Sequence, residues 1–384
     1  MVSSEGSKKR MAAALKSMPS PSLIQMLAGK RATAMSLRAL FETASSQSLL
    51  SFGARRVSMA QFLHRELPIR MAQRIDELSR LPFGLAQSED VRWITETYGT
   101  HVERLVNTKK PENANEEEAF ARAVSEVLVN RVAVPRRLAR AVRQTLVNSD
   151  ERETVDDAIE RFFVSRIGLR LLVEHYLTAR AKDGAGEIDA FCKPGQVALE
   201  TAKVAKDLCE RDLGRSPNID IVGDLDATFT YAPQHCRYVL LELLKNACRA
   251  TSEFHSDGPL PPVKVVVVAG DEDFSIKVAD LGGGCSRREA KLAWSWFHSK
   301  YPLPQNDQAD GGTTNDPSLA LTSGWGLGLP LSRAYTRYFG GDLRLRALQG
   351  YGCDSYIFLS RLGFACEKLP TRVQFSPAER DSTL

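Results

Sequence analysis

The spacing of apolar residues changes once along this chain, and that change constrains its fold more than any other feature. From Arg31 to about Arg180, apolar residues recur at threes and fours, which predicts amphipathic helices. A short polar segment with two glycines, Ala181 to Ile188, follows this part. Beyond it, helical patterns alternate with short β-branched runs. We therefore predict a helical domain, then an α/β domain, with the junction in that segment.

Proline, glycine and periodicity together predict the individual elements. The first part contains long periodic runs suited to a helical bundle, with prolines that separate or kink its segments: Glu116 to Leu146, Val155 to Leu177, Pro68, Pro82, Pro111 and Pro135. In the second part, helices are predicted over Gln196 to Arg211, Pro233 to about Thr251, and Pro330 to Gly340. Strands are predicted over Asn218 to Val222, Val263 to Ala269, Phe274 to Asp280, Asp342 to Leu348, and Cys353 to Leu359.

The formal net charge of +4 belongs to the amino terminus. Residues 1–30 hold five basic residues and one acidic residue, and without them the balance changes from 51 against 47 to 46 against 46. A neutral body has no general attraction for a phosphate backbone, so a nucleic-acid partner is not indicated. No apolar run approaches the roughly 18 residues that would predict a membrane span.

The first residues also have the composition of a targeting segment. No acidic residue occurs between Gly6 and Phe41, where Ser, Ala, Leu and basic residues dominate. This predicts a mitochondrial transit peptide over residues 1–30, with a disordered basic tail as the alternative.

The seven cysteines are irregularly spaced, without a C-x-x-C pair or histidines at zinc-ligand intervals, and predict thiols in a reducing compartment.

A first candidate site lies on the helix predicted to begin at Pro233. Glu242 and Asn246 are four residues apart and share a helix face, with Lys245 and Arg249 beside them. A carboxylate next to an amide oxygen suits Mg²⁺, which takes few protein ligands when nucleotide phosphates complete its shell. Taken alone, the pattern also fits an ordinary solvated helix face.

Two glycine-rich motifs follow. Asp280 comes at a strand end before Gly282 to Gly284, where backbone can approach a ligand and the carboxylate can accept a hydrogen bond from an exocyclic amine. Gly324 to Pro330 forms a glycine loop that leads into a helix, whose first turn can bind phosphate. Between them, His298 to Ser323 is too long and polar for an ordinary connection, which predicts a functional lid or a disordered insert.

The order and spacing of these three motifs resemble one known superfamily. There are 34 residues from Asn246 to Asp280 and 46 from Asp280 to Gly326. This arrangement resembles the N, G1 and G2 boxes of the GHKL ATPases, whereas a Walker loop, a dinucleotide fingerprint and the eukaryotic kinase signatures are absent from the sequence. The wording E-L-L-K-N-A-x-R-A-T, D-x-G-G-G and G-x-G-x-G-L-P-x-S-R-A-Y is similar to the mitochondrial 2-oxo acid dehydrogenase kinases. The likeness covers roughly residues 35–362.

This resemblance implies an architecture and a set of domains. The fold expected is α plus α/β: an amino-terminal helical bundle, then a GHKL (Bergerat) α/β sandwich with a mixed sheet. The ranges expected are a transit peptide over 1–30, a helical lipoyl-binding and regulatory domain over 31–185, an ATP-binding kinase domain over 186–364 and a tail over 365–384.

The resemblance also implies roles for individual residues. Glu242 would orient or deprotonate the acceptor serine, with Lys245 supporting it, and Asn246 would hold Mg²⁺. Asp280 would bind the adenine amine of ATP. The other positions expected to contact nucleotide are Arg249, Gly282, Gly284, Ser299, Gly324, Gly326, Leu327, Gly328, Leu329 and Cys353. Arg166 and Arg170 match arginines near an effector pocket for small 2-oxo acids, and the alternative is that they pair with glutamates of neighbouring helices.

The expected activity is transfer of the γ-phosphate of Mg-ATP to a serine of an E1α subunit, which inactivates the dehydrogenase complex in the mitochondrial matrix. Docking on the lipoyl domain of the E2 core and a homodimer are expected as well. Tyr238, one turn before Glu242, and the lack of an Asp-Trp motif near the carboxyl terminus favour the branched-chain over the pyruvate complex.

Three other functions are compatible with parts of the sequence. A non-catalytic ATP-binding scaffold on the E2 core is the main alternative, and Glu242 speaks against it. A histidine kinase would need a phosphoacceptor histidine before the first motif, and only His175 is near, on an ordinary helix pattern. ATPases of the chaperone or mismatch-repair kind put their ATPase domain first, whereas here it comes second.

Overall fold

The computed structural model describes residues 19–45, 50–128, 133–145, 149–299, 325–361 and 365–370. In the first part the helices are α1 (Pro21–Gly29), α2 (Leu37–Ala44), α3 (Phe52–Ser79), α4 (Glu89–Asn107), α5 (Ala114–Ser125), α6 (Ala133–Thr145) and α7 (Ser149–Ala181). Short 3-10 turns occupy Leu85–Gln87 and Glu126–Leu128. The periodic run predicted over Glu116 to Leu146 therefore contains two helices, and residues 129–132 between them lie outside the described part.

Serine side chains begin several of these helices. The Oγ atoms of Ser36 and Ser88 accept hydrogen bonds from the backbone N–H groups of Ala39 and Val91, at 3.1 and 3.3 Å.

Pro68 does not end its helix, because α3 runs from Phe52 to Ser79 through it. Its neighbours Leu67 and Ile69 are buried, so tertiary packing offsets the backbone hydrogen bond that proline cannot donate.

The second part begins with β1 (Asp189–Cys192) and continues through α8 (Pro194–Leu213), β2 (Ile219–Gly223), β3 (Phe229–Tyr231), α9 (Pro233–Phe254), β4 (Val263–Ala269), β5 (Asp273–Ala279), α10 (Arg287–Leu292), α11 (Gly328–Tyr338), β6 (Asp342–Leu348) and β7 (Gly352–Ser360). The predicted helices and strands of this part are confirmed, with ends shifted by a few residues. Strands β1 and β3 were not predicted. Each has too few residues for alternation to show in the sequence.

The strands form a mixed sheet in the order β2-β4-β5-β7-β6. The pair β2–β4 is parallel, and the other neighbours are antiparallel. Apolar residues alternate along β4 and β5, so that Val265 and Ile276 are buried under the helices, whereas Lys264 and Val268 face outwards. Helices α8, α9 and α11 pack on the inner face. This two-layer arrangement confirms the predicted fold class.

A short carboxyl-terminal segment returns to the helical part. The Glu367 carboxylate is fully buried and accepts hydrogen bonds from Arg70 Nη2 of α3 at 2.7 Å, from the Met35 N–H at 3.0 Å and from the Tyr338 hydroxyl of α11. A side chain at Gly168 of α7 would collide with the Tyr338 hydroxyl and meet Arg70 Nη1 at 3.0 Å. We call these residues, with Glu66, the Glu367 junction.

Among the described residues, no helix is both long and apolar enough to cross a membrane.

Replacing Glu367 by alanine should lower the stability of the folded chain. Among the described residues, the substitution leaves Glu66 as the remaining charged partner of the buried Arg70 guanidinium, and breaking a buried pair costs about 3–5 kcal/mol. Urea denaturation measures this change in the free energy of unfolding. Lys368→Ala, at an exposed neighbour, is the control. Equal stability of Glu367→Ala and wild type would show that the junction does not contribute.

Candidate functional site

The first predicted motif lies on α9, with its polar residues at the edge of the core. Glu242 is 2% exposed, and its Oε1 accepts a hydrogen bond from Lys245 Nζ at 2.9 Å. Asn246, one turn further on, is exposed. The two residues predicted to share a face therefore differ in environment, because Glu242 is buried whereas Asn246 is exposed. We use the word cleft for the predicted nucleotide site between α9, the second motif and the start of α11. A buried carboxylate that accepts a hydrogen bond from a lysine has a fixed orientation.

The glycine loop of the third motif comes directly over Glu242. Gly328 is the first residue of α11, and a Cβ atom on it would lie 2.6 Å from Glu242 Oε2. No side chain of the described residues caps this end of α11, so the N–H groups of its first turn are available to a ligand. The amino terminus of the helix carries partial positive charge, which suits both the nearby carboxylate and a phosphate.

The second motif is held in place by main-chain contacts. Asp280 Oδ1 accepts hydrogen bonds from the N–H groups of Gly282 at 2.9 Å and Cys353 at 3.2 Å. The Asp280 N–H donates to the Cys353 carbonyl at 2.9 Å. Burial raises the pKa of Asp280, and the two backbone donors oppose that change. Its Oδ2 has no hydrogen bond to the described residues and can accept one from a ligand.

The glycines are required by the protein's own backbone as well as by any ligand. A Cβ on Gly282 would lie 2.6 Å from the carbonyl carbon of Ala250 on α9. Gly284 has φ +60° and a Cβ there would lie 2.8 Å from the Gly352 carbonyl oxygen. Gly326 has φ +68° and would place a Cβ 2.6 Å from the carbonyl carbon of Phe297. The motif glycines thus fit three loops closely against one another around the cleft.

The remaining predicted positions differ from one another in their contacts and in how far they are buried. Arg249 Nη2 lies 3.8 Å from Asp212 Oδ2 of α8, which directs it towards that helix. Leu327 is fully buried, so only its backbone can meet a ligand, whereas Ser299 and Leu329 are half-buried. Gly324 and most of the predicted lid, His298 to Ser323, lie outside the described residues.

The two arginines predicted near an effector pocket are occupied by protein partners. Arg166 Nη1 donates to the Tyr98 hydroxyl at 3.2 Å, and Arg170 Nη2 pairs with Glu174 Oε1 at 2.8 Å. Arg170 therefore pairs with a glutamate, but Glu174 belongs to the same helix, α7, and not to a neighbouring helix as the alternative stated. These contacts do not test whether a small acid can bind there.

Sequence reasoning missed a set of contacts at the start of the lid. Asp156 of α7 accepts a hydrogen bond from the Trp296 N–H at 2.9 Å, and Arg152 Nε donates to Ser295 Oγ at 2.7 Å. The rings of Trp296 and Phe163 stack with centroids 4.6 Å apart. Only the Asp and Arg residues within the long α7 pattern could have given a signal, and nothing in the sequence links them to residues so distant in the chain.

A magnesium ion fits this site only if a bound nucleotide supplies part of its coordination shell. No group of three or more His, Cys, Asp or Glu side chains in the described part of the chain could hold a metal. The exposed Asn246 amide offers one hard oxygen, while the Glu242 carboxylate is bound by Lys245. This donor set suits Mg²⁺ bound through one or two protein groups and nucleotide phosphates.

Comparison with known proteins gives two family matches. Residues 34–189 match the mitochondrial branched-chain alpha-ketoacid dehydrogenase kinase model, and residues 231–362 match the histidine kinase-, DNA gyrase B- and HSP90-like ATPase model. A mitochondrial pyruvate dehydrogenase (acetyl-transferring) kinase of Arabidopsis thaliana is 34% identical over 346 residues, covering 88% of this chain and 93% of the relative. Isozyme 4 of that mitochondrial kinase from Mus musculus is 33% identical over 358 residues, covering 85% and 83%.

Gly328→Ala should weaken ATP binding. The added methyl group would overlap the Glu242 carboxylate, and relieving such overpacking costs about 1–3 kcal/mol by displacing α11 or Glu242. Calorimetric titration with ATP measures the change in affinity. Gly258→Ala is the matched control, because a Cβ on Gly258 meets nothing within 4 Å. Unchanged affinity in Gly328→Ala would mean that this end of α11 does not contact the nucleotide.

Proposed function

This chain belongs to the mitochondrial 2-oxo acid dehydrogenase kinase family, and on that premise we propose that it transfers the γ-phosphate of ATP to a serine of the E1α subunit of such a complex, inactivating it. Its relatives are protein-serine kinases, and its second part is an ATP-using domain of the GHKL type. The observation that carries the proposal is the buried Glu242 carboxylate, fixed by Lys245 beneath the uncapped end of α11.

Phosphoryl transfer needs positioning and charge stabilisation more than covalent help. We assign Glu242 to accept the proton of the serine hydroxyl, or to orient that hydroxyl, as the serine oxygen attacks the γ-phosphorus. The bond from that phosphorus to the β,γ-bridging oxygen breaks, and ADP leaves. Lys245 holds the carboxylate in place and places a positive charge near the transferred group. The first N–H groups of α11 are positioned to bind phosphate oxygens.

The other side of the cleft suits the nucleoside. We assign Asp280 Oδ2 to accept a hydrogen bond from the adenine amine, because Oδ1 already accepts from Gly282 and Cys353. The glycines at 282, 284, 324, 326 and 328, with Arg249, Ser299, Leu327, Leu329 and Cys353, are proposed to complete the ATP site. Mg²⁺ bound by Asn246 and the phosphates would neutralise charge on the transferred group.

The identity of the complex has two candidates. The relatives compared are pyruvate dehydrogenase kinases, which favours the pyruvate complex, and we put it first. The branched-chain complex is second, favoured by the name of the first family model and by Tyr238. Tyr238 is buried, with its ring centroid 4.8 Å from that of Tyr335, so it fills the space behind Glu242.

The activity predicts a specific loss on substituting Glu242. Purified protein with Mg²⁺ and γ-labelled ATP should label an E1α serine in either the pyruvate or the branched-chain complex. Glu242→Gln should reduce the rate by about 10²–10⁴-fold, because the amide cannot accept the proton. Faster labelling of E1 in the assembled complex than of free E1 would support docking on the E2 lipoyl domain, which we propose for the helical part.

Two controls separate this activity from its alternatives. Calorimetry should show that Glu242→Gln still binds ATP, whereas Asn246→Ala should bind Mg-ATP more weakly. ATP binding without labelled E1 in either complex would instead indicate a non-catalytic scaffold. Label that is lost in acid would indicate phosphohistidine and a histidine kinase.

A homodimer is proposed through the outer face of the sheet. Val268, Ser275 and Phe358 lie opposite one another across β4, β5 and β7, and the Tyr356 and Phe358 rings stack at 6.4 Å. On this face Val268 is 49% exposed and Phe358 is only partly buried. An uncovered face with apolar side chains is typical of an interface.

Val268→Glu should therefore shift the protein from dimer to monomer. The charge would have to be buried without a partner, which is costly. Light scattering after size-exclusion chromatography measures the mass. Met26→Glu changes an apolar side chain of similar exposure, 54% against 49%, on α1 and should remain dimeric. A monomeric wild type would contradict the proposal.

Location in the mitochondrial matrix is also proposed. The relatives are named as mitochondrial, and residues 1–30 have the composition of a transit peptide. A fluorescent fusion of the full chain should enter mitochondria, and deletion of residues 1–30 should leave it in the cytosol. Import of the deleted form would contradict the assignment of that segment.

A further inference from the structure

Two half-buried cysteines lie beside the adenine-binding side of the cleft. Cys285 follows the glycines of the second motif, and Cys353 is the residue whose backbone N–H binds Asp280 Oδ1 at 3.2 Å. Four other cysteines, Cys192, Cys209, Cys236 and Cys248, are buried in the core. Their burial restricts access by small reagents, whereas Cys285 and Cys353 are partly open to solvent.

The backbone brings these two thiols together. The Gly283 N–H donates to the Tyr351 carbonyl at 3.1 Å, and the Gly350 N–H donates to the Gly283 carbonyl at 2.7 Å. A Cβ on Gly284 would lie 2.8 Å from the Gly352 carbonyl oxygen, so the residues just before the two cysteines are in contact. The side chains of Cys353 and Cys285 are themselves in hydrogen-bonding contact.

We propose that Cys285 and Cys353 form a peroxide-sensitive thiol pair whose oxidation to a disulfide blocks ATP binding. The effect on ATP rests on the function proposed above, in which Asp280 binds the adenine. The disulfide itself does not depend on that function.

The two thiols have different environments. Burial, the Asp280 carboxylate and the contact with Cys285 raise the pKa of Cys353 to about 12. Cys353 therefore remains protonated at neutral pH, and we assign it to the second step of the oxidation. Since the thiolate is the nucleophile in thiol chemistry, Cys285 is the residue that reacts first.

The oxidation is balanced with hydrogen peroxide as the oxidant. The Cys285 thiolate attacks one peroxide oxygen, the O–O bond breaks, and hydroxide leaves and takes up a proton as water. The product is Cys285 sulfenic acid. The Cys353 sulfur then displaces hydroxide from the Cys285 sulfur, and its proton leaves with the hydroxide as a second water. Two thiols are oxidised to one disulfide, and one peroxide is reduced to two waters.

A disulfide here would change the position of Asp280. The S–S bond is about 2.05 Å long, much shorter than a hydrogen-bonding contact between two sulfur atoms. Drawing the sulfurs together moves the Cys353 backbone, which both donates to Asp280 Oδ1 and accepts from the Asp280 N–H. The Asp280 carboxylate would then no longer face the adenine amine. Bound ATP should in turn slow the oxidation by covering the pair.

The test treats the full-length protein with hydrogen peroxide, with and without ATP, blocks remaining thiols and identifies cross-linked peptides by mass spectrometry. We expect a Cys285–Cys353 disulfide that forms more slowly with ATP present. ATP affinity, measured by calorimetry, should fall by roughly tenfold or more and return on treatment with dithiothreitol. Cys285→Ser should keep its ATP affinity under peroxide, and Cys366→Ser, at an exposed cysteine, should remain sensitive.

Other outcomes would overturn the inference. Absence of the cross-link after peroxide treatment would show that the thiols do not pair. Equal loss of ATP affinity in Cys285→Ser, or a disulfide without loss of affinity, would show that the pair does not control the site. Asp280→Asn tests the proposed function separately. This variant has an N–H₂ group in place of Oδ2, so it lacks the acceptor proposed for the adenine amine. Normal ATP binding by it without oxidant would refute the adenine assignment but not the disulfide.

Discussion

The buried Glu367 carboxylate joins parts of the chain that the rest of the structure needs in a fixed arrangement. It binds Arg70 of α3, the backbone of Met35 and the Tyr338 hydroxyl at the end of α11. A buried charge is tolerated only when it is paired and hydrogen-bonded, and these partners come from distant parts of the sequence. The carboxyl end of α11 is thereby fixed against the helical part.

The other end of α11 is the glycine that covers Glu242. Because α11 is one rigid helix from Gly328 to Tyr338, the junction at one end determines how closely the other approaches α9. The helical part also holds Ser295 and Trp296, just before the predicted lid, through Arg152 and Asp156 of α7. Both sides of the glycine loop therefore depend on packing against helices that contribute no residue to the proposed chemistry. This gives the helical part a physical means to influence the nucleotide site.

Much of the fold followed from local pattern. Alternation along β4 and β5 and the threefold and fourfold spacing in α9 predicted these elements nearly to the residue, because one face of each is buried. Two strands were missed: β1 and β3 are too short to show alternation. Of the two outcomes expected at Pro68, a helix end does not occur, because tertiary burial outweighs one lost hydrogen bond.

The site shows the same division. The sequence by itself determined which residues are proposed to carry the chemistry, since the types and spacing of Glu242, Asn246, Asp280 and the glycines are visible without coordinates. Only the tertiary structure decided the environment and contacts of these residues. Glu242 is buried and held by Lys245, Asp280 has one oxygen left for a ligand, and Cys285 contacts Cys353. The physical reason is that spacing along a helix or loop is a local property. Burial, desolvation and contact between loops depend on which distant segments pack together, and no short motif encodes that.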